Sequence, residues 1–204
     1  MMPENMEIRY SGGKIDFSEK RITLLDRFVL DFIRVLEHQT PYVIVSGYVA
    51  ILFGRSRGTE DVDILIPTME KAHFTLLHDT LLSGGYEFLN AEDADGLHDM
   101  LTRKMGIRVA KKGQYIPNIE LKFLKDEIDR QVFQDRREVA LPDAQVFISP
   151  IEIQIAYKIH LGSPKDIEDA LFLFEIFGTH LDRGRLKEQM KAFHVSGDEY
   201  GIIL

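Results

Sequence analysis

The chain has 204 residues, 45% of them hydrophobic, which suits one large domain or one domain with a small subdomain. Its formal net charge of −8 gives no general sign of nucleic-acid binding, although a local basic patch stays compatible with it. The lack of cysteine excludes disulfides, thiolate metal sites and a cysteine nucleophile. Neither a signal-peptide core nor an apolar run of membrane-spanning length is present, so we expect a soluble cytoplasmic protein without a membrane partner.

The predicted elements begin with a loose lead-in over residues 1–15 and an amphipathic helix over residues 17–38. The helix is indicated by the four-residue spacing of Leu24, Phe28, Phe32 and Leu36. Strands are then expected at 41–46, 61–66, 86–89, in a hairpin over 106–126 and in a pair over 137–149, and helices at 47–54, 69–83, 91–104 and 127–137. After Ser149 the pattern predicts three successive helices. We expect an α+β fold, with an αβ domain over 1–149 and a helical subdomain over 150–204 packed on it.

Two acids stand at the start of an apolar strand in the stretch "RSRGTEDVDILIP". Because strand side chains alternate with period two, Asp61 and Asp63 share one face while Val62 points into the core. Adjacent carboxylates repel each other unless a cation neutralises them, and oxygen ligands suit Mg²⁺. Taken alone, the pair is more typical of a strand that begins in a polar, solvated turn.

A glycine precedes these acids at a strand-to-helix junction. Gly47 would let backbone N–H groups approach a phosphate, and Arg55, Arg57 and Thr59 could hold phosphate oxygens. The alternatives are a plain turn at the glycine and an exposed basic loop after it. A third acid, Glu120, shares a strand face with Asn118 and Lys122 and would meet Asp61 and Asp63 if the two strands are neighbours; otherwise it lies on a solvated face.

Together these residues resemble the nucleotidyltransferase fold superfamily. The stretch "VSGYVAILFGRSRGTEDVDILI" is most similar to minimal nucleotidyltransferases and AbiEii-type toxins, with Arg57, Thr59, Asp61 and Asp63 matching their Arg-x-Thr-x-Asp-hydrophobic-Asp block. Ser46 stands where the first glycine of that family's loop is expected. The similarity covers about residues 40–66 and 117–175, and it implies a mixed β-sheet flanked by helices.

The resemblance continues in "SPIEIQIAYKIHLGSPKDIEDALFL", which is similar to the family's lysine helix and the Lys-Asp-x-x-Asp start of the next helix. Lys158 lies among isoleucines, so its ammonium requires a partner or a route to solvent. Asp166 and Asp169 share a helix face, and Asp166 also fits an N-terminal cap with Ser163. Lys158 is therefore either a structural partner of these aspartates or a cation aimed at nucleotide phosphates, as the resemblance implies.

Two further groups of residues carry weaker signals. The histidines show no spacing typical of a zinc site. The 103–112 segment contains five cations and no acid, and these are Arg103, Lys104, Arg108, Lys111 and Lys112. This segment is either a solvated hairpin paired with the acidic stretch 92–99 or a landing site for RNA.

The resemblance implies a metal-dependent transfer of NMP from an NTP to a hydroxyl of RNA, tRNA or protein. The implied metal is Mg²⁺ or Mn²⁺, held by Asp61, Asp63 and Glu120. The implied nucleotide contacts are made by Ser46, Gly47, Arg57, Thr59, Lys158, Asp166 and Asp169, with Lys158 also assisting the chemistry. A toxin paired with an antitoxin protein is one form of this function. The alternatives are a small-molecule adenylyltransferase of the antibiotic-modifying kind and a non-catalytic nucleotide-binding or interaction protein.

Overall fold

The computed structural model describes residues 8–11, 13–90 and 93–202. Within them, one mixed sheet of nine strands runs in the order β1-β2-β8-β9-β3-β4-β7-β6-β5. The strands are β1 Arg9–Ser11, β2 Lys14–Asp16, β3 Val43–Ile44, β4 Asp61–Ile66, β5 Tyr86–Phe88, β6 Ile107–Lys111, β7 Asn118–Phe123, β8 Arg137–Leu141 and β9 Ala144–Ile148. The pairs β2/β8, β3/β9 and β4/β7 are parallel, and the others are antiparallel.

Helices flank this sheet and close the chain. They are α1 Leu24–Leu36, α2 Gly47–Leu52, α3 Lys71–Ser83, α4 Ala94–Thr102, α5 Glu127–Gln134, α6 Ile151–Leu161, α7 Pro164–Phe177 and α8 Arg183–Ala192, followed by a 3₁₀ turn at Asp198–Tyr200. The α+β class with a helical C-terminal part is confirmed. None of the described helices is long and apolar enough to cross a membrane.

Helix α1 begins seven residues later than predicted, at Leu24 instead of residue 17. Thr23 and Asp26 form a reciprocal capping box, which satisfies backbone N–H groups that have no partner within the helix. Phe28, Phe32 and Leu36 are buried as expected, whereas Leu24 is 83% exposed because it is the first helical residue. The spacing of the apolar residues correctly predicted which face of α1 is buried. The position at which the helix begins is determined by the capping box.

The lead-in is more ordered than predicted. Strands β1 and β2 form an antiparallel pair, and β2 extends the sheet by pairing in parallel with β8. Ile15 and Phe17 are almost fully buried. The expectation of a loose segment is therefore wrong for residues 9–11 and 14–15, while residues 1–7 and 12 lie outside the described residues. Residues 91 and 92 of the helix predicted at 91–104 also lie outside them.

The three C-terminal helices follow the predicted order and end the sheet-forming part of the chain. Gly162 ends α6 in a left-handed conformation with φ of 69°, and Ser163 then caps α7 with Pro164 at its first position. Leu173 and Leu186 from these helices belong to the same buried cluster as Ile64 and Ile148 of the sheet. The hydrophobic core is therefore continuous across residue 149. The division of the chain into domains at this residue stays a proposal, and the observed change there is one of secondary structure, from strands to helices.

Candidate active site

The predicted acids lie at the start of two neighbouring parallel strands. The register of β4 and β7 places Asp61 beside Asn118 and Asp63 beside Glu120. Val62 and Ile119, which alternate with them, are fully buried on the other face. The structure thus brings Asp61, Asp63 and Glu120 to one face of the sheet, because residues opposite each other in register point the same way.

A lysine joins two of these acids. Lys122 Nζ lies 2.7 Å from Asp63 Oδ1 and 2.7 Å from Glu120 Oε2. Burial alone lowers the pKa of Lys122, but the charges and hydrogen bonds of Asp63 and Glu120 outweigh it and raise the pKa above 10.5. The ammonium is therefore charged at neutral pH. Because Lys122 follows Glu120 by two residues, the sequence indicated that the two side chains share a strand face. The contact of Lys122 with Asp63 depends on the register between β4 and β7, which the sequence does not reveal.

The donor chemistry around these strands fits a hard divalent cation. Asp61, Asp63 and Glu120 offer carboxylate oxygens, and the Oδ1 atom of Asn118 beside Asp61 is buried with no hydrogen-bond partner among the described residues. In the observed arrangement, no three acid or histidine side chains of the described residues are gathered closely enough to hold a metal ion. Asp63 and Glu120 contact the lysine ammonium instead.

The junction between β3 and α2 has a glycine-like backbone at Ser46. Its φ of 63° lies in the left-handed region that favours glycine, so the residue is strained there. Gln154 holds the loop from α6, since its Nε2 donates to the Ser46 carbonyl at 2.6 Å and its Oε1 accepts from Ser149 Oγ at 2.7 Å. Ser46 therefore adopts the backbone form typical of the glycine that the resemblance predicts, and sequence reasoning gave no sign of the part played by Gln154.

Gly47 is covered by the guanidinium of Arg57. A Cβ atom at position 47 would lie 1.9 Å from Arg57 Nη2 and 3.0 Å from its Cζ. Any side chain at position 47 would therefore displace this guanidinium. Thr59, in the same loop, donates its hydroxyl to the Asp61 carbonyl at 2.8 Å.

Asp169 is the partner of three cations. Arg57 donates to it from Nε at 3.1 Å and from Nη2 at 3.0 Å, Arg55 donates from Nη1 at 2.6 Å, and Lys158 Nζ lies 2.7 Å away. Asp169 is fully buried and Lys158 is 1% exposed. The loop before β4 is therefore attached to α6 and α7 through one carboxylate.

Lys158 also pairs with Asp166 at 3.0 Å, and Asp166 accepts a hydrogen bond from Ser163 Oγ. Burial raises the pKa of Asp166, but the hydrogen bonds from Ser163 and Lys158 prevail and hold it below its ordinary value. The ammonium of Lys158 is thus enclosed between two aspartates in this structure.

Neither a protein-family model nor a curated protein matches this sequence. Solved structures do match it. The antibiotic-resistance factor ANT(2'')-Ia is 13% identical with a TM-score of 0.50, over 86% of this chain and 92% of that one. The chain has the fold of this resistance factor.

Two further solved structures match the chain. An antigenic nucleotidyltransferase-like protein from Paracoccidioides brasiliensis is 18% identical with a TM-score of 0.49, covering 80% of this chain and 84% of that one. JHP933 from Helicobacter pylori is 16% identical with a TM-score of 0.49, covering 88% of this chain and 78% of that one.

A cleft of about 210 Å³ opens beside Asp63. Ser46, Asp63 and Lys122 are among the residues that line it. Three of its large side chains are substantially exposed, namely Ile128 of α5 and Tyr157 and Leu161 of α6. Asp126 and Asp129 also line it. The cleft therefore combines charged side chains with exposed apolar side chains of α5 and α6.

The basic segment lies near the same acids. Arg108 of β6 is exposed and stands opposite Glu120 in the antiparallel register, so the two side chains share a face. Lys111 pairs with Asp31 at 2.9 Å, and Asp95 of the acidic stretch pairs with Lys71 at 2.8 Å. The ion pair of Asp95, in the acidic stretch, is therefore with Lys71 of α3, which lies outside the basic segment.

Proposed function

We propose that the protein is a nucleotidyltransferase that moves an NMP from an NTP to a hydroxyl acceptor. The observation that carries this proposal is the common face of Asp61, Asp63 and Glu120 on two neighbouring strands, with Asp63 lining a cleft. Carboxylates that share a face repel each other unless a cation neutralises them, so this arrangement favours a cation-binding site.

The reaction that we propose is an in-line displacement. The acceptor oxygen forms a bond to the α-phosphorus, the bond from that phosphorus to the pyrophosphate oxygen breaks, and the acceptor proton passes to Glu120. Mg²⁺ or Mn²⁺ held by Asp61, Asp63 and Glu120 would supply positive charge to the phosphate oxygens and lower the pKa of the acceptor hydroxyl. Glu120 is suited to the proton because its carboxylate is only partly buried and stands opposite the exposed Arg108 of β6.

We assign the nucleotide phosphates to Ser46 and Gly47, where β3 meets α2, and to Arg57 and Thr59 of the loop between α2 and β4. The guanidinium of Arg57 lies against Gly47, so a phosphate bound at the glycine would meet it there. The other assigned residues would act indirectly, by holding Arg57 in place. Asp169 fixes the orientation of Arg57, Lys158 fixes Asp169, and Asp166 pairs with Lys158. A direct contact of Lys158 with phosphate would require release of its two ion pairs.

The acceptor that we favour is RNA, including tRNA, bound through the 103–112 segment. Arg108 supports this because it is exposed on the same face as Glu120. A protein hydroxyl is the alternative macromolecular acceptor. Activity as an AbiEii-like toxin, with an antitoxin protein that blocks the cleft, is a proposal that rests on the sequence resemblance.

A small-molecule acceptor is the second candidate, and the cleft is the observation that favours it. Asp126 and Asp129 at its edge would attract a cationic molecule, and its volume of about 210 Å³ suits a small one. The structural likeness to an antibiotic-resistance factor is consistent with this candidate at the level of fold.

The test is to incubate the protein with each α-labelled NTP, Mg²⁺ and total RNA, and in parallel with an aminoglycoside. We expect label on one acceptor class, and at least a hundredfold loss of transfer in Asp63→Asn. The matched control is Asp143→Asn, which changes an exposed aspartate in the turn between β8 and β9. Nucleotide binding without transfer to any acceptor would instead make the protein a non-catalytic nucleotide-binding protein.

A further inference from the structure

Lys122 occupies the position between two of the three proposed metal ligands. Its ammonium makes contacts of 2.7 Å with both Asp63 and Glu120. The lysine follows Glu120 by two residues on the same strand and stands beside Leu65 in the parallel register. Its side chain is 32% exposed and borders the cleft. A positive charge supplied by the chain itself therefore already offsets one of the two negative charges of this carboxylate pair.

We propose that Lys122 is a built-in counter-ion that competes with the divalent cation for Asp63 and Glu120. This inference rests on the proposed function, since it concerns the metal that nucleotidyl transfer would use. An ammonium carried two residues from Glu120 on the same strand is present at a high effective concentration, and both of its contacts are charge-assisted hydrogen bonds. Free metal therefore binds weakly, because it must first displace the lysine.

A purely structural ion pair is a poorer account of this arrangement. Strands β4 and β7 are already joined over six register positions, from Asp61 with Asn118 to Ile66 with Phe123, so the lysine is not needed to hold them together. Partly exposed ion pairs add little to folding stability. The two carboxylates, in contrast, stand directly beside each other and need a cation whenever no metal is bound.

The cleft offers the displaced ammonium a second partner. Lys122 lines the same cavity as Ser46, next to the loop to which we assign the nucleotide phosphates. An ammonium that leaves the carboxylates can pair with a phosphate oxygen there. Lys122 therefore makes binding of metal and of nucleotide mutually favourable, and the coupling is reciprocal.

The experiment measures Mn²⁺ binding, by electron paramagnetic resonance of the free ion, in the absence of nucleotide. We expect Lys122→Met, and likewise Lys122→Gln, to bind Mn²⁺ at least tenfold more tightly than the wild type. Adding Asp63→Asn to Lys122→Met should remove the gain, which places the ion at these carboxylates. Lys125→Met is the matched control, because this exposed lysine lines the same cleft but has no described ion pair with Asp63 or Glu120, and its affinity should equal that of the wild type.

Equal or weaker Mn²⁺ binding by both Lys122 variants would overturn the inference. The measurement is independent of turnover, so the two proposals fail separately. Unchanged Mn²⁺ binding in an active enzyme would contradict only the role of Lys122. Tighter binding in a protein that transfers no nucleotide would uphold Lys122 as the counter-ion and contradict the proposed reaction.

Discussion

Asp169 is the residue on which the cations of the candidate site depend. It is fully buried and accepts contacts from Arg55, Arg57 and Lys158, so its replacement leaves three positive charges close together with fewer acceptors. We expect Asp169→Asn to lower the free energy of unfolding by about 3–5 kcal/mol, as is typical when one partner of a buried ion pair is removed. Urea denaturation followed by circular dichroism measures this change.

The matched control is Glu168→Gln. Glu168 also pairs with Arg55, at 2.5 Å, but its side chain is 66% exposed, so we expect a loss below about 1 kcal/mol. Lys158→Met should fall between the two, because Asp169 would keep both arginines. Equal losses in Asp169→Asn and Glu168→Gln would show that the buried carboxylate has no special role.

The residues of the site differ in how far the sequence could reveal them. The common face of Asp61 and Asp63 follows from the period of a strand, and that of Glu120 and Lys122 follows in the same way. The distance from Lys122 to Asp63 does not, because it depends on how β4 and β7 pair across 59 positions of sequence. The same holds for Arg55 and Arg57, whose partner Asp169 lies on a helix far along the chain.

At the scale of elements, Asp26 joins the start of α1 to α2. It accepts hydrogen bonds from Lys20 Nζ at 2.7 Å, from the backbone of Thr23 at 2.8 Å and from Tyr48 Oη at 2.7 Å. Burial raises the pKa of Asp26, but these three donors outweigh it and leave the pKa below 3.8. Because the native state binds its proton less tightly than the unfolded chain, folding is favoured above about pH 4 and loses this contribution as the pH falls through the lowered pKa.

We therefore expect the wild type to lose stability below about pH 4 and Asp26→Asn to lose less over the same interval. At pH 7 the variant should be less stable by about 3 kcal/mol, since the buried Lys20 is left without its carboxylate. Chemical denaturation at a series of pH values tests both statements. Asp16→Asn is a suitable control, because this carboxylate is less buried than that of Asp26 and accepts its hydrogen bonds from Ser18 of its own turn. Parallel pH profiles for the wild type and Asp26→Asn would contradict the assignment.

The element boundaries that the sequence missed have local causes. The start of α1 was set by the Thr23–Asp26 capping box and not by the apolar pattern, which continues upstream as far as Phe17. Phe17 is buried because it follows β2, whose pairing with β8 could not be foreseen from residues 1–15 alone. The three C-terminal helices were predictable because each has its own cap or glycine stop, as Ser163 and Gly162 illustrate.

At the scale of the whole molecule, one buried cluster includes Ile64 at the centre of the sheet and Leu173 of α7. Both side chains are fully buried. We expect Ile64→Ala and Leu173→Ala each to cost about 2–5 kcal/mol and each to shift one cooperative unfolding transition. Far-ultraviolet circular dichroism and tyrosine fluorescence should report the same midpoint.

Leu76→Ala is the matched control, since this leucine is 55% exposed and its loss should change stability by less than about 0.5 kcal/mol. Two separate transitions, with Leu173→Ala affecting only one, would show that residues 150–204 unfold independently of the sheet. The proposed division at residue 149 would then be a boundary between domains that fold separately.

The contact between Gly47 and Arg57 means that substitutions at these two positions are coupled during evolution. A methyl group at position 47 would displace the guanidinium from the place where it meets Asp169. Loss of the glycine and loss of the arginine therefore produce the same defect, and the second change adds little once the first has occurred. A lineage that has lost one of the two residues therefore gains little by keeping the other. Among descendants of this protein, the glycine and the arginine should be kept together or lost together.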